Sequence, residues 1–161
     1  MRRTALILCL AALPLGFAAA GSAAAANFEA TFTQIYSTST CHFPTVFCGS
    51  GTVAGFGPAT STVLLTSIAP IPGSDCRALT AVRTITLDNG SGWLTLAENG
   101  TICPPNAAAT SAQGNPFTVD KSYTVAGGTG VFAGAAGGGS DINRSAGNSQ
   151  VSVISGTLTQ P

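Results

Sequence analysis

Hydrophobic and polar residues alternate along most of the chain after residue 26, with the two-residue period of a half-buried β-strand. No stretch there has apolar residues at the i, i+3, i+4 and i+7 spacing of an amphipathic helix. The alternation is clearest in residues 28–36, where one face carries Phe28, Ala30, Phe32, Gln34 and Tyr36. Further strand-like segments, separated by Gly, Pro, Asn and Ser, are 51–57, 60–68, 76–88, 92–103, 117–126, 131–142 and 150–159.

These segments predict an all-β domain of eight strands. An open antiparallel sheet of eight strands has two edge strands with unpaired backbone groups, and closing the sheet into a barrel removes both edges. An eight-stranded antiparallel β-barrel is therefore the predicted fold, and a β-sandwich is the alternative.

The Asn-Gly pair at residues 89–90 predicts how two of the strands pair. This dipeptide between alternating strands favours a two-residue type I′ turn, which sets Asp88 opposite Ser91. The same register, continued along both strands, sets Cys76 opposite Cys103. Directly opposed residues lie within disulfide distance, so we expect these two cysteines to be bonded.

Four cysteines follow residue 26, and an even number in an exported chain indicates two disulfides with three possible connectivities. The hairpin register selects Cys76–Cys103, which leaves Cys41–Cys48 to close a small loop. The cysteine spacings do not match the usual zinc patterns, and His42 is the chain's single histidine, so no metal site is expected.

The hairpin register also assigns the faces of the two strands. The more aliphatic face, expected to point inward, carries Leu79, Ala81, Arg83, Ile85, Leu87, Leu94, Leu96 and Glu98. Arg83 and Glu98 are diagonal neighbours on it, and a charge on an apolar face is costly unless it is paired. Lys121 lies in the same way between Val119 and Tyr123. Arg83, Glu98, Lys121 and Tyr123 are therefore the candidate ligand-binding residues, and a purely structural ion pair is the alternative.

The first 26 residues have the three-part layout of a secretory signal peptide. Arg2 and Arg3 precede an apolar stretch over residues 5–20, and small residues at 21–26 offer cleavage sites. The apolar stretch is shorter than the roughly 20 residues of a membrane-spanning helix, which is the alternative. We therefore expect a signal peptide over residues 1–26, and one secreted domain over 27–161 with no membrane span.

Composition and charge exclude several classes of function. Four basic and six acidic residues lie in 27–161, so there is no basic patch for a nucleic acid. Charged residues make up 7% of the chain, against about 25% in typical soluble domains. His42 sits in the small cysteine loop, where a surface position is more typical than a catalytic one, and no catalytic residue is predicted. No cofactor is expected either, because the glycine-rich segment 127–139 lacks the following helix of a dinucleotide site.

Residues 123–139, which include the segment G-G-T-G-V-F-A-G-A-A-G at 127–137, resemble the C-terminal half of the allene oxide cyclase and dirigent-like families, and the strand with Gly156, Thr157 and Leu158 fits the end of their barrel. Residues 55–60 and 114–116 resemble a group of small exported bacterial proteins without an assigned activity. The first resemblance implies an eight-stranded antiparallel barrel. None of those families' catalytic residues matches a position here, so none is carried over.

Three functions fit these observations. The first is a secreted barrel that binds a small apolar or amphipathic molecule, since such barrels hold one small ligand. The second is a cyclase-type enzyme that holds a flexible substrate in a reactive shape. The third is a structural or adhesive envelope protein with a filled interior. The sequence leaves the oligomeric state open.

Overall fold

A computed structural model of the chain describes residues 24–42, 44–104, 117–146 and 149–160. The described residues form a closed barrel of eight antiparallel strands in chain order, which confirms the predicted fold. Pairing of β1 with β8 over eleven residue pairs closes the sheet. The strands are β1 (Ala25–Tyr36), β2 (Phe47–Val53), β3 (Gly57–Pro70), β4 (Arg77–Leu87), β5 (Trp93–Cys103), β6 (Thr118–Gly128), β7 (Ala136–Ala146) and β8 (Ser149–Thr159).

The β4–β5 hairpin has the predicted register but not the predicted turn. Arg83 pairs with Leu96 and Thr86 with Trp93, and the ladder has no bulge. The expected type I′ turn is wrong, because Gly90 has a positive φ of 73° and Asn89 does not. The chain instead makes a longer loop, in which Gly90 N donates to the carbonyl oxygen of Leu87. Ser91 N donates a hydrogen bond to the side-chain oxygen of Asn89, and this bond stabilises the longer loop.

Two other predicted strands are displaced along the chain. The segment predicted at 51–57 is β2 at Phe47–Val53, because the chain turns at Gly55 and Gly57, whose φ angles of 77° and 100° are left-handed. The segment predicted at 131–142 begins only at Ala136. A short 3-10 helix, Gly130–Phe132, precedes it.

Both disulfides form as predicted and lie at the same end of the barrel. Cys76 and Cys103 have Cα atoms 4.3 Å apart, and Cys41 and Cys48 have Cα atoms 5.3 Å apart. We call this the disulfide end. β1, β3, β5 and β7 end there, and β2, β4, β6 and β8 begin there.

The interior has two apolar clusters. The larger one fills the half away from the disulfides and contains Phe28, Ala30, Phe32, Val53, Ala59, Ile85, Leu87, Leu94, Leu96, Tyr123, Phe132, Ile154 and Leu158. We call this the apolar half. Phe132 packs against Phe56 there, with ring centroids 4.8 Å apart, and closes the barrel end. The smaller cluster lies at the disulfide end and contains Val63, Leu79, Ala81 and Val119.

Among the described residues, no helix has the length and apolar character needed to cross a membrane. The predicted signal peptide lies mostly outside the described residues. Of its positions 1–26, the barrel includes Ala25 and Ala26, which pair with Thr159 and Leu158 at the end of β1.

Candidate functional site

Four charged side chains meet inside the barrel, between the two apolar clusters. β4, β5, β6 and β7 each contribute one inward-facing residue, namely Arg83, Glu98, Lys121 and Asp141. We call these four residues the charged ring. Each is buried: Arg83 and Asp141 are 0% exposed, Glu98 is 2% and Lys121 is 8% exposed.

Four ion pairs close the ring, in which positively and negatively charged side chains alternate. Arg83 Nε lies 2.6 Å from Glu98 Oε1, and Arg83 Nη2 lies 2.5 Å from Asp141 Oδ2. Lys121 Nζ lies 2.5 Å from Glu98 Oε2 and 2.6 Å from Asp141 Oδ2. Two cations and two anions balance, so the ring has no net charge. This balance is what allows four charges to stay in a low-dielectric interior.

Neutral side chains on the flanking strands complete the hydrogen bonds of the ring. Arg83 Nη1 donates to Ser61 Oγ at 2.9 Å and to Gln34 Oε1 at 3.2 Å. Ser152 Oγ donates to Asp141 Oδ1 at 2.6 Å. All three guanidinium nitrogens and both oxygens of Asp141 therefore have partners, as buried polar groups require.

The ring favours the charged forms of Arg83 and Asp141. Burial alone would raise the pKa of Asp141, but the adjacent charges of Arg83 and Lys121 outweigh it and lower that pKa to about 2. Burial alone would lower the pKa of Arg83, yet Glu98 and Asp141 more than compensate and raise it. Arg83 and Asp141 are therefore ionised in the folded protein at neutral pH.

Acid should weaken the fold as Asp141 takes up a proton. A carboxyl whose pKa is lowered in the folded state stabilises the protein above its unfolded pKa, and loses that contribution as the pH falls through the folded value. For Asp141 the window runs from about pH 4 down to about pH 2, with a loss on the order of 2 kcal/mol. Urea unfolding at a series of pH values measures this loss of unfolding free energy.

Asp120 provides the matched control for this titration. It is exposed, and its ion pair with Arg144 is 3.3 Å long. The Asp120→Asn variant should lose as much unfolding free energy between about pH 4 and about pH 2 as the wild type does. The Asp141→Asn variant should lose much less over the same range. Equal slopes for these two variants would contradict the role given to Asp141.

Tyr123 lies on the apolar side of the ring and packs edge-on against Phe28. Its hydroxyl is buried and makes no hydrogen bond with the described chain. Burial, and secondarily the negative charge of Asp141, raise the pKa of Tyr123 to about 12. The phenol is therefore neutral, and it is a neighbour of the ring rather than a member.

Two further polar side chains face the lumen on the disulfide side of the ring. Asn143 on β7 and Gln150 on β8 are 1% and 5% exposed. They are diagonal neighbours, because Ser145 pairs with Gln150. Both polar atoms of the Asn143 carboxamide and Oε1 of Gln150 have no hydrogen-bond partner in the described chain. Gln150 Nε2 donates to Gln34 Oε1 at 3.1 Å.

The structure brings together three of the four residues selected from the sequence. Arg83, Glu98 and Lys121 are bonded in the ring, and Tyr123 lies beside it. Sequence reasoning missed Asp141, together with the neutral partners Gln34, Ser61, Asn143, Gln150 and Ser152. A usable signal existed for one of them, since Gln34 shares its face with Phe28 and Phe32.

His42 does not contribute to the ring. It is exposed in the disulfide loop with a φ of 58°. It borders an open recess of about 380 Å³ formed with Cys41, Cys48 and residues 60–62. Within the described ranges, no group of three or more His, Cys, Asp and Glu side chains is placed to hold a metal ion.

Comparison of the chain with protein-family models, with curated proteins and with solved structures finds no match.

Proposed function

We propose that the protein is exported and binds one small amphipathic molecule in the barrel lumen, on the disulfide side of the charged ring. The unpartnered carboxamide atoms of Asn143 and Gln150 support this proposal. A buried polar group without a hydrogen bond costs about 1–3 kcal/mol, and a bound molecule that supplies the missing bonds offsets that cost. The neighbouring polar groups of Gln34 and Ser152 are already bonded.

The surroundings of these atoms favour a ligand with a neutral polar group and an apolar body. A carboxamide offers one acceptor and two donors, which suit a hydroxyl, carbonyl or amide. The charged ring above it has no net charge and therefore does not select an anion or a cation. Val63, Leu79 and Val119 supply apolar wall on the same side. Ligand sites are mostly apolar and have a few placed polar groups, as this side of the lumen has.

Export is the second part of the proposal. Two disulfides indicate an oxidising compartment outside the cytoplasm. The leader-like composition of residues 1–26 supports secretion, with Asn27 as the first residue of the mature chain. Removal of Ala25 and Ala26 would shorten β1 by two residues, and pairing with β8 would continue from Asn27 opposite Thr157.

Titration with a neutral fluorescent probe, N-phenyl-1-naphthylamine, tests the lumen site. We expect saturable binding to the folded protein, and about tenfold weaker binding after Asn143→Ala, because one buried hydrogen bond to the probe's N–H is lost. Ser140→Ala is the matched control, since Ser140 lies on the same strand and bonds to Ser155 on the outer surface. Equal affinities of the two variants, or no saturable binding at all, would refute the lumen site.

A structural envelope protein is the second candidate. The charged ring favours it, because its four members bond to one another and leave no charged group for a ligand. Mass spectrometry of small molecules released from the protein purified out of its native host distinguishes the two candidates. A stoichiometric compound favours the binding protein. An empty barrel that also ignores the probe favours the structural role.

A further inference from the structure

The chain uses lysine in an unusual way. It contains five arginines and a single lysine, Lys121. That lysine lies inside the barrel, while the surface cations Arg77 and Arg144 are arginines. An arginine would serve a buried ion pair at least as well, since its planar group bonds to two carboxylates at once. A primary amine differs from a guanidinium in that it can act as a nucleophile.

The amine of Lys121 lies against two carboxyl groups in a water-excluded site. Lys121 and Asp141 are directly opposed on β6 and β7, and their Nζ and Oδ2 atoms are 2.6 Å apart. Glu98 Oε2 touches the same Nζ from β5. We propose that Lys121 and Asp141 join in an intramolecular amide bond, with Glu98 as the carrier of the proton.

The reaction balances without any added reagent. Lys121 Nζ gives one proton to Glu98, and the free amine attacks Cγ of Asp141 to form a C–N bond. Glu98 passes that proton to one oxygen of Asp141, then takes a second proton from the attacking nitrogen and passes it to the same oxygen, and that C–O bond breaks. The oxygen leaves as one water molecule with two hydrogens from the original ammonium group. No atom is oxidised or reduced, and Glu98 ends as it began.

The neighbours of Asp141 support the tetrahedral intermediate. Arg83 Nη2 donates to Oδ2 and Ser152 Oγ donates to Oδ1, so both oxygens have a donor while negative charge develops on them. The fixed positions of Lys121 and Asp141 on paired strands also hold the reacting groups together. Arg83 has an opposing effect as well, because it stabilises the carboxylate and makes the attack slow. We therefore expect conversion after folding, over time.

The product would suit the interior better than the starting ring. Amide formation removes one positive and one negative charge together, which lowers the number of buried charges from four to two. The remaining ions, Arg83 and Glu98, already form a direct pair through Nε and Oε1. Desolvated charges are costly, so the exchange of an ion pair for a neutral amide is favourable in this setting. The bond would also fasten β6 to β7 covalently.

Mass spectrometry of the folded wild-type protein, incubated and then denatured and reduced, tests the proposal. We expect a mass lower than the sequence mass by one water molecule. An amine-reactive label should attach once, at the N-terminus, because Lys121 is the only lysine. Trypsin should not cut after residue 121, so the peptide 84–144 should survive with Lys121 linked to Asp141. The full sequence mass with two labels after prolonged incubation would overturn the proposal, as would a link to any other acid.

Two variants separate the chemistry from the fold. Lys121→Arg keeps the positive charge but has no primary amine, and it should retain the full sequence mass. Glu98→Gln, checked by circular dichroism to be folded, should convert far more slowly than the wild type. Conversion of this variant at the wild-type rate would overturn the role of Glu98. If Glu98→Gln does not fold, the wild-type mass and label count decide the proposal by themselves.

Discussion

Replacing Arg83 with methionine, or Glu98 with glutamine, is expected to lower the free energy of unfolding by about 3–5 kcal/mol. Both side chains are fully buried, and each is bonded to the other. Loss of either one leaves the ring with an uncompensated charge that water cannot reach. The Arg83→Met variant leaves one buried carboxylate in excess, and the Glu98→Gln variant leaves one buried cation in excess. Urea unfolding at neutral pH measures both losses.

The double variant Arg83→Met with Glu98→Gln completes a thermodynamic cycle. It removes one charge of each sign, so Lys121 and Asp141 remain as a balanced pair. We expect it to be less destabilised than the sum of the single variants by about 1–3 kcal/mol, the usual range for directly bonded groups. The cycle is measured on freshly refolded protein that still has its full sequence mass, because Glu98→Gln would also slow the proposed amide bond between Lys121 and Asp141.

The exposed pair of Arg144 and Asp120 is the control for this cycle. Its side chains are 59% and 62% exposed. Replacing either should cost at most about 1 kcal/mol, as exposed ion pairs contribute little. If Arg83→Met and Glu98→Gln behave like this control, with small and additive losses, then the ring does not constrain the interior as its geometry indicates.

The inward position of Arg83 and Glu98 followed from the sequence because two independent features agreed. The Asn-Gly turn signal and the cysteine spacing both gave the register that β4 and β5 have in the barrel. The register depends only on how far one strand is shifted along the other, and not on the type of turn that joins them. The actual loop has a different turn type but the same offset, so the assignment of faces held although the turn did not.

Asp141 could not be found in this way because β7 has no apolar face to mark its inner side. Its inward residues at the disulfide end are Asp141, Asn143 and Ser145, and glycines occupy residues 137–139. Because the inner face is polar, hydrophobic and polar residues do not alternate there, and the sequence does not indicate which residues of β7 point inward. The contact between Asp141 and Arg83 joins β7 to β4 across the lumen, and only closure of the barrel creates it.

The unpartnered amides were beyond sequence analysis for a related reason. Asn143 and Gln150 belong to neighbouring strands joined by a short connection, and either residue would be unremarkable on a surface. Their significance comes from burial, which depends on the six other strands. Strand pairing can be read locally from turns and alternation, whereas the composition of a barrel lumen depends on all eight strands at once.

Loss of the Cys76–Cys103 disulfide is expected to destabilise the protein by about 3–4 kcal/mol, and loss of Cys41–Cys48 by about 2–3 kcal/mol. The sequence separations are 27 and 7 residues, and the larger loop restricts the unfolded chain more. Paired Cys→Ala replacements make matched variants, because each removes one bond and leaves no free thiol. Urea unfolding without reductant compares them.

The native contacts of the two bonds could change that order, which makes the comparison informative. Cys41 is buried at 4% exposure, so alanine there also removes packing at the disulfide end. The β4–β5 ladder, by contrast, continues for ten uninterrupted pairs without its disulfide. A larger loss for Cys76→Ala with Cys103→Ala would show that unfolded-state entropy dominates. A larger loss for Cys41→Ala with Cys48→Ala would contradict the prediction, and would show that the small loop is held mainly by its packing against the barrel.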